Sequence, residues 1–295
     1  MGGSGMASLQ ALRRKIGSVK NTQKITKAMK LVASSKLRRA QQRILAYRAY
    51  GQELRRVLAN LSGRVNPSIN PVFQKRPVKL VQVSVVSSDR GLCGAFNMNV
   101  FRKAFEVIQA CEARGAKVTI GVIGRKANDF FRRRHWPIRD PNVNVFQRLT
   151  YEHALEIGLT GVEAFEQGLF DELYIVYNEF KSIIQQQVIV EKLLPIEPLE
   201  EFGVAEAPSG GGYLYEPDQE DLIEALLPKY AQAQVFRILL ESSAAEQSAR
   251  MAAMDGATRN AGELIKQLSL KYNRSRQEAI TKELMDIVGG AEALK

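Results

Sequence analysis

Histidine, cysteine and tryptophan are scarce in this chain, at two, two and one among 295 residues. His135 and His153 form no H-E-x-x-H pair or other metal-type spacing, so metal-dependent and histidine-based nucleophilic chemistry lack their usual side chains. Solvated or locally bonded imidazoles are expected at both. Cys93 and Cys111 match no zinc pattern and are expected as reduced structural thiols. No apolar run approaches the roughly 18 residues of a membrane span, and no signal-peptide core opens the chain, so a soluble, cytoplasmic protein is expected. MGGSG ahead of Met6 reads as an expression scar or an upstream start, and residues 1–7 are set aside as a leader.

Proline is missing from two long stretches, Ser8 to Leu61 and Lys229 to Lys295. Acids are nearly missing from the first: Glu53 alone stands against a run of bases from Arg13 to Arg64, in a chain of net charge +11. Leu9, Leu12, Ile16 and Val19, then Ile25, Met29 and Val32, then Ile44, Tyr47, Leu54, Leu58 and Leu61 recur at spacings of three and four. That pattern predicts one long helix with a narrow apolar seam, on the order of 80 Å at about 1.5 Å per residue. Such a seam needs a partner helix of similar length. The second proline-free stretch supplies it, with Asp218 as a cap, Pro228 expected to disturb or restart the helix, and small residues such as Ala244, Ala245, Ala249, Gly256 and Gly262 that permit close approach. An antiparallel coiled coil of the two chain ends is expected.

Between these ends the periodicity changes. VKLVQVSVV and KVTIGVI read as β-branched strands, FRKAFEVIQACEARG as an amphipathic helix between them, GRKANDFFRRR and residues 151–167 as two further helices, and ELYIVYNEF and QQQVIVEKLLP as two adjacent strands. Alternation of this kind predicts an α/β, Rossmann-like domain with a largely parallel sheet and an antiparallel pair at one edge. The expected division is a helix at 8–64, the α/β domain at 77–200, a Gly- and Pro-rich linker at 201–216, and the C-terminal helix at 217–295.

SSDRGLCGAFN (Ser87–Asn97) joins the first strand to a helix, where phosphate sites are often built. It has neither the spacing nor the lysine of G-x-x-x-x-G-K-[ST], and Gly91 with Gly94 supply only part of a dinucleotide fingerprint. The simpler expectation is a tight turn allowed by Gly91 and Gly94, with Asp89 and Arg90 pairing locally or meeting a partner. FFRRRHWPIR interleaves bases and aromatics, and Lys20, Lys24 and Lys27 form a stripe that suits a phosphate backbone or an acidic protein surface. A basic coiled-coil nucleic-acid-binding or scaffold protein is therefore the alternative reading.

ITKAMKLVASSKLRRAQ in the first helix, SSDRGLCGAFN, LYEPD ahead of the last helix, and SRQEAITKELMDIVGGA near the C-terminus occur in the order and spacing of one family. Together they resemble the gamma subunit of F-type ATP synthases, over essentially Met6 to Lys295. The resemblance implies a central rotor shaft that catalyses nothing itself and holds no cofactor or metal. Its implied partners are three alpha and three beta subunits around the shaft, with epsilon and the membrane c-ring at the foot and no nucleic acid. It implies a peripheral place on the cytoplasmic face of a bacterial plasma membrane. It also implies that Met29 and Lys30, with Arg276, Gln277, Thr281 and Glu283, meet the surrounding subunits, while Asp89, Arg90, Gly91 and Gly94 form the marker turn of the foot. The short, cysteine-free stretch from Ile196 to Tyr213 implies no thiol switch of the plant chloroplast type.

Overall fold

The structure, a computed structural model, describes residues 3–62, 71–73, 76–182, 185–196 and 219–292. In chain order it comprises α1 (Gly3–Ser62), β1 (Leu80–Val86), α2 (Phe96–Ala113), β2 (Lys117–Ile123), α3 (Arg125–Phe131), β3 (Ile138–Asn142), α4 (Tyr151–Glu166), β4 (Glu172–Phe180), β5 (Gln186–Leu194) and α5 (Gln219–Glu292), with short 3-10 turns at Pro71–Phe73 and Val145–Gln147. Two compact units share α1 and α5. One takes α1 up to Ala33 and α5 from Met251; the other is Ser34–Arg250.

In the Ser34–Arg250 unit the sheet order is β3-β2-β1-β4-β5. β1 pairs in parallel with β2 (Val83 opposite Ile120) and with β4 (Val83 opposite Tyr174), and β5 closes one edge antiparallel to β4. Six of the seven β1 residues are buried, Gln82 and Ser84 included, because both of its faces are covered. α2 lays Val100, Phe101, Ala104, Ile108 and Cys111 on one face, at helical spacing, over Val81, Val83, Ile120 and Val122. On the other face α4 and α5 meet closely: a Cβ on Gly158 would lie 2.9 Å from the Cα of Gln232, so only glycine fits at that crossing. Within this unit α1 and α5 also touch, Tyr47 donating its hydroxyl to the Ala233 carbonyl and packing edge-on to Phe236.

In the other unit the helix pair is antiparallel. Thr26 bonds Thr258 at 2.8 Å and Lys30 pairs with Asp255 at 2.6 Å, so rising numbers on α1 meet falling numbers on α5. Gly262 faces Gln23, whose amide would stand 3.0 Å from an added Cβ.

Three expectations need correction. β3 was not foreseen: IRDPN has neither alternation nor β-branched enrichment, and Pro141 is accommodated because the strand lies at the sheet edge. Pro228 does not restart a helix, since α5 runs through it, with Leu227 and Ala231 buried on either side to hold it in place. The α1 seam does not use Ile25 or Val32, which are 60% and 56% exposed; Thr26 and Ala33 take those levels instead. Asp218 and the linker at 201–216 lie outside the described residues.

Candidate functional site

The turn Ser87–Asn97 is built from backbone needs inside the Ser34–Arg250 unit. Asp89 is buried, and its carboxylate accepts the backbone N–H groups of Arg125, Asn144 and Phe146 at 2.8–2.9 Å. It thereby holds the start of α3 and the loop after β3, and it does not pair with Arg90 as expected. Ser87 Oγ accepts the N–H of Ala127, while Gly124, at φ +98, lies so close that a Cβ would fall 2.2 Å from the Ser87 carbonyl oxygen. Asn97 bonds back to Ser88 through both its amide oxygen and its nitrogen. The positive backbone angles of the turn fall on Leu92 (φ 63) and Gly94 (φ 59), not on Gly91. Leu92 is 65% exposed despite its left-handed backbone.

In sheets of this kind a ligand sits beyond the strand ends where the order reverses, which here is between β1 and β4. α5 occupies that crevice. Ala245 packs on Cys93 and Phe96, and Ala249 and Phe180 join the same cluster. Glu241 accepts the N–H of Phe180 at 3.1 Å, and Arg250 donates to the carbonyls of Arg90 and Gly91 at 3.1 and 3.2 Å. Arg250 is held in turn by Glu246 at 2.6 Å. The turn thus binds the protein's own helix where a nucleotide fold would bind phosphate.

Sequence reasoning missed these charged groups on α5, together with Arg237, which reaches both carboxylate oxygens of Glu191 and the hydroxyl of Tyr177. Burial works against the Arg237 charge, but Glu191 and Tyr177 outweigh it and raise its pKa. A signal was present in the Glu246/Arg250 spacing of four within a run of small, uncharged residues.

In the helix-pair unit Met29 and Lys30 are half-buried, and Lys30 is engaged by Asp255. Arg276, Gln277, Thr281 and Glu283 are all exposed near the end of α5. At 3.6 residues per turn they share one face, roughly 160° wide, with Ile280, Leu284 and Ile287. Those three apolar side chains are exposed as well. Asp255 and Arg276 stand roughly 30 Å apart along the helix, so the two groups of candidate contacts form separate patches.

The remaining candidates resolve into packing. His153 Nδ1 meets the Thr150 hydroxyl in a capping box, and His135 lies against Trp136 with ring centroids 4.2 Å apart. In FFRRRHW the aromatics are anchors: Arg134 stacks 3.5 Å from the Phe130 centroid, and Trp136 packs on Phe105. Both cysteines are free and buried, and burial pushes the Cys93 thiol up. Among the described residues no three His, Cys, Asp or Glu side chains are grouped to hold a metal ion. No helix among them is long and apolar enough to cross a membrane.

A family profile described as ATP synthase matches residues 8–294. The ATP synthase gamma chain of Chlorobaculum parvum is 48% identical, covering 98% of this chain and 100% of the relative. That of Geobacter metallireducens is 43% identical over the same shares. Among solved structures, the central stalk and c-ring of the Tetrahymena thermophila mitochondrial ATP synthase contains a chain with TM-score 0.58 and 26% identity, covering 79% of this chain and 99% of that one. A chain of the Euglena gracilis mitochondrial ATP synthase in rotational state 3 gives a TM-score of 0.68 at 23% identity, over 98% and 95%, a likeness of fold.

Proposed function

The chain belongs to the ATP synthase gamma-chain family, and on that footing we propose that it is the non-catalytic central rotor of a bacterial ATP synthase. The observation that carries this reading is the span of the match, which runs from the basic N-terminal helix through the inserted sheet to the end of α5. The shaft is formed by the chain ends, and the catalytic sites belong to beta subunits. Three alpha and three beta subunits surround it, epsilon and the c-ring hold its foot, and the assembly sits on the cytoplasmic face of the plasma membrane.

An asymmetric shaft couples rotation to affinity only if each orientation stabilises the alternative beta conformations by different free energies. Met29 and Lys30 form one contact level and Arg276, Gln277, Thr281 and Glu283 another. Exposed Lys20, Lys24 and Lys27 add a basic face suited to acidic surfaces. Contacts of that kind are screened and exchangeable, which suits a surface that must slide. Nothing favours the nucleic-acid alternative, because the aromatics that would stack on bases are engaged in packing.

Co-assembly tests this. Mixed with alpha and beta subunits, the chain is expected to yield a complex with one copy per three alpha-beta pairs that hydrolyses ATP. The chain alone should neither bind nor hydrolyse it. Failure to assemble where other gamma chains do, or stoichiometric ATP binding by the isolated chain, would overturn the reading. Within the complex, Arg276→Ala combined with Gln277→Ala and Thr281→Ala is expected to lower ATP hydrolysis several-fold, while unchanged turnover would remove those residues from the contact set.

A further inference from the structure

The sheet of the Ser34–Arg250 unit carries a polar spot in its covered interior. On the face under α2, β1 presents Val81, Val83 and Val85. On the opposite face it presents Gln82 and Ser84, which are 5% and 7% exposed. A strand covered on both sides ordinarily reads as a continuous apolar run. Gln82 Nε2 donates to Ser84 Oγ at 3.5 Å, a long bond that holds the amide loosely. Gln82 Oε1 is buried and has no hydrogen-bond partner. A buried acceptor without a donor is destabilising, and each such group calls for a partner.

Both side chains line a cavity of about 250 Å³ between the sheet and α4. Gly121 of β2 makes room for them: a Cβ there would fall 2.3 Å from Ser84 Oγ and 3.0 Å from Gln82 Nε2. Beside it the β2–β3 register slips. Gly121 stands opposite Arg139 and Val122 opposite Pro141, which leaves Asp140 unpaired, at φ +51, and lining the cavity. A bulge of this kind re-aims a side chain and recurs beside binding sites. Ile157 and Thr160 of α4 and Ile175 of β4 add two apolar walls and a hydroxyl. An apolar cavity with a few convergent polar groups is the usual form of a small-molecule site. The charged residues that line it, Asp140 and Glu156, are both acidic, and Arg139 is engaged with Asp140 at 3.2 Å. A phosphate or carboxylate is therefore disfavoured there.

We propose that this cavity binds a small uncharged primary amide on an apolar body, its N–H donated to Gln82 Oε1 and its carbonyl accepting from Ser84 or Thr160. The apolar body lies against Ile157 and Ile175. An amide supplies what the site needs at one end: a donor for the partnerless oxygen and an acceptor for a hydroxyl hydrogen. Ser84 Oγ accepts from Gln82 and still has its own hydrogen to give. The loosely held Gln82 amide can turn to present its oxygen. The site lies within the Ser34–Arg250 unit and does not depend on the rotor reading.

The test titrates the full chain with benzamide, by calorimetry and by the shift in melting temperature. Two probes of the same outline run beside it: acetophenone, in which a methyl replaces the amide nitrogen, and benzoate, which carries a charge. Benzamide is expected to bind one to one and raise the melting temperature, with acetophenone and benzoate each at least tenfold weaker. Gln82→Leu, which removes the acceptor, should weaken benzamide at least tenfold and erase its advantage over acetophenone. Gly161→Leu projects a side chain from the α4 wall, where a Cβ would meet Leu173 at an ordinary 3.6 Å, and should abolish binding of both. No saturable binding, as when water alone serves Gln82, would overturn the proposal. So would equal affinity for benzamide and acetophenone, or benzamide affinity indifferent to either variant. Where a variant fails to melt cooperatively, the benzamide-to-acetophenone ratio on the unaltered chain decides by itself.

Discussion

The Ser34–Arg250 unit and the helix-pair unit solve the same problem, fixing α1 against α5, by opposite means. The first buries Val, Ile and Phe around a sheet and holds Arg237 and Arg250 in ion pairs with Glu191 and Glu246. The second has a thin seam of Thr26, Ala33, Met254, Ala261 and Leu268, joined by the Thr26–Thr258 bond and the half-buried Lys30–Asp255 pair, and leaves Ile280, Leu284, Met285, Ile287 and Val288 in solvent. A contiguous exposed apolar face of that kind marks a surface that partners cover. The first unit is packed around its own core, whereas the second leaves an apolar face uncovered by this chain.

The largest break in this contrast is expected at Glu246. It is 5% exposed beside a nearly buried Arg250, so Glu246→Ala strands a guanidinium that also holds the Ser87–Asn97 turn, costing about 3–5 kcal/mol. Glu246→Gln, which keeps an acceptor for Arg250, should cost markedly less. Urea unfolding of the isolated chain measures both, and equal losses would mean that the pair is not the support described.

A matched pair of deletions comes next. Ile108→Ala opens a hole under the sheet and should cost about 2–5 kcal/mol. Ile287→Ala, on an exposed turn of α5, should change the isolated chain by no more than about 0.5 kcal/mol. If a partner covers Ile287 in the assembled complex, the ranking should narrow there. If Ile287→Ala is equally silent there, by thermal unfolding and ATP turnover, the exposed face has no partner.

Most of the first unit was legible because its strands and helices announce themselves locally. VSVV and VTIGVI are β-branched runs, and the α2 stripe repeats at three and four. β3 was hidden because pairing with β2 alone makes IRDPN a strand. The Asp89 bonds were hidden because their donors lie 36 to 57 residues away, and a carboxylate beside Arg90 looks like half of an ion pair until the fold brings in three unpaired N–H groups. The turn's failure as a phosphate loop could be read from its spacing and missing lysine. That α5 fills the crevice could not. In the helix pair, periodicity gave the partnership but misplaced part of the seam, since Thr26 faces inward only to meet Thr258.

Acid should separate the two units more gently. Burial raises the Glu241 and Glu246 carboxyls above their ordinary 4.5. The stability they allow is complete below that value and is lost as pH rises through their raised ones. Asp255 goes the other way, held below 3.8 by the Lys30 hydrogen bond and charge, so its contribution is present above 3.8 and is lost as pH falls through its lowered value. As pH falls toward 4.5, amide exchange corrected for intrinsic rate should slow in the Ser34–Arg250 unit, an effect that Glu241→Gln and Glu246→Gln abolish. Loosening of the helix pair should wait until below pH 3.8, and earlier loosening there would contradict the assignment.

The smallest effect is expected at Lys30 itself. Its ion pair with Asp255 is short, but the two side chains are 42% and 38% exposed, so water and salt screen them. Lys30→Ala should shift the urea midpoint of the isolated chain only slightly, and the shift should shrink further in 0.5 M salt, where the Debye length is about 4 Å against about 30 Å in dilute buffer. If Lys30 meets the surrounding subunits as proposed, the same variant should alter ATP turnover of the complex more than it alters stability. A large, salt-insensitive loss of stability would mean that the pair is a structural rivet, and the helix-pair unit would then resemble the sheet unit rather than oppose it.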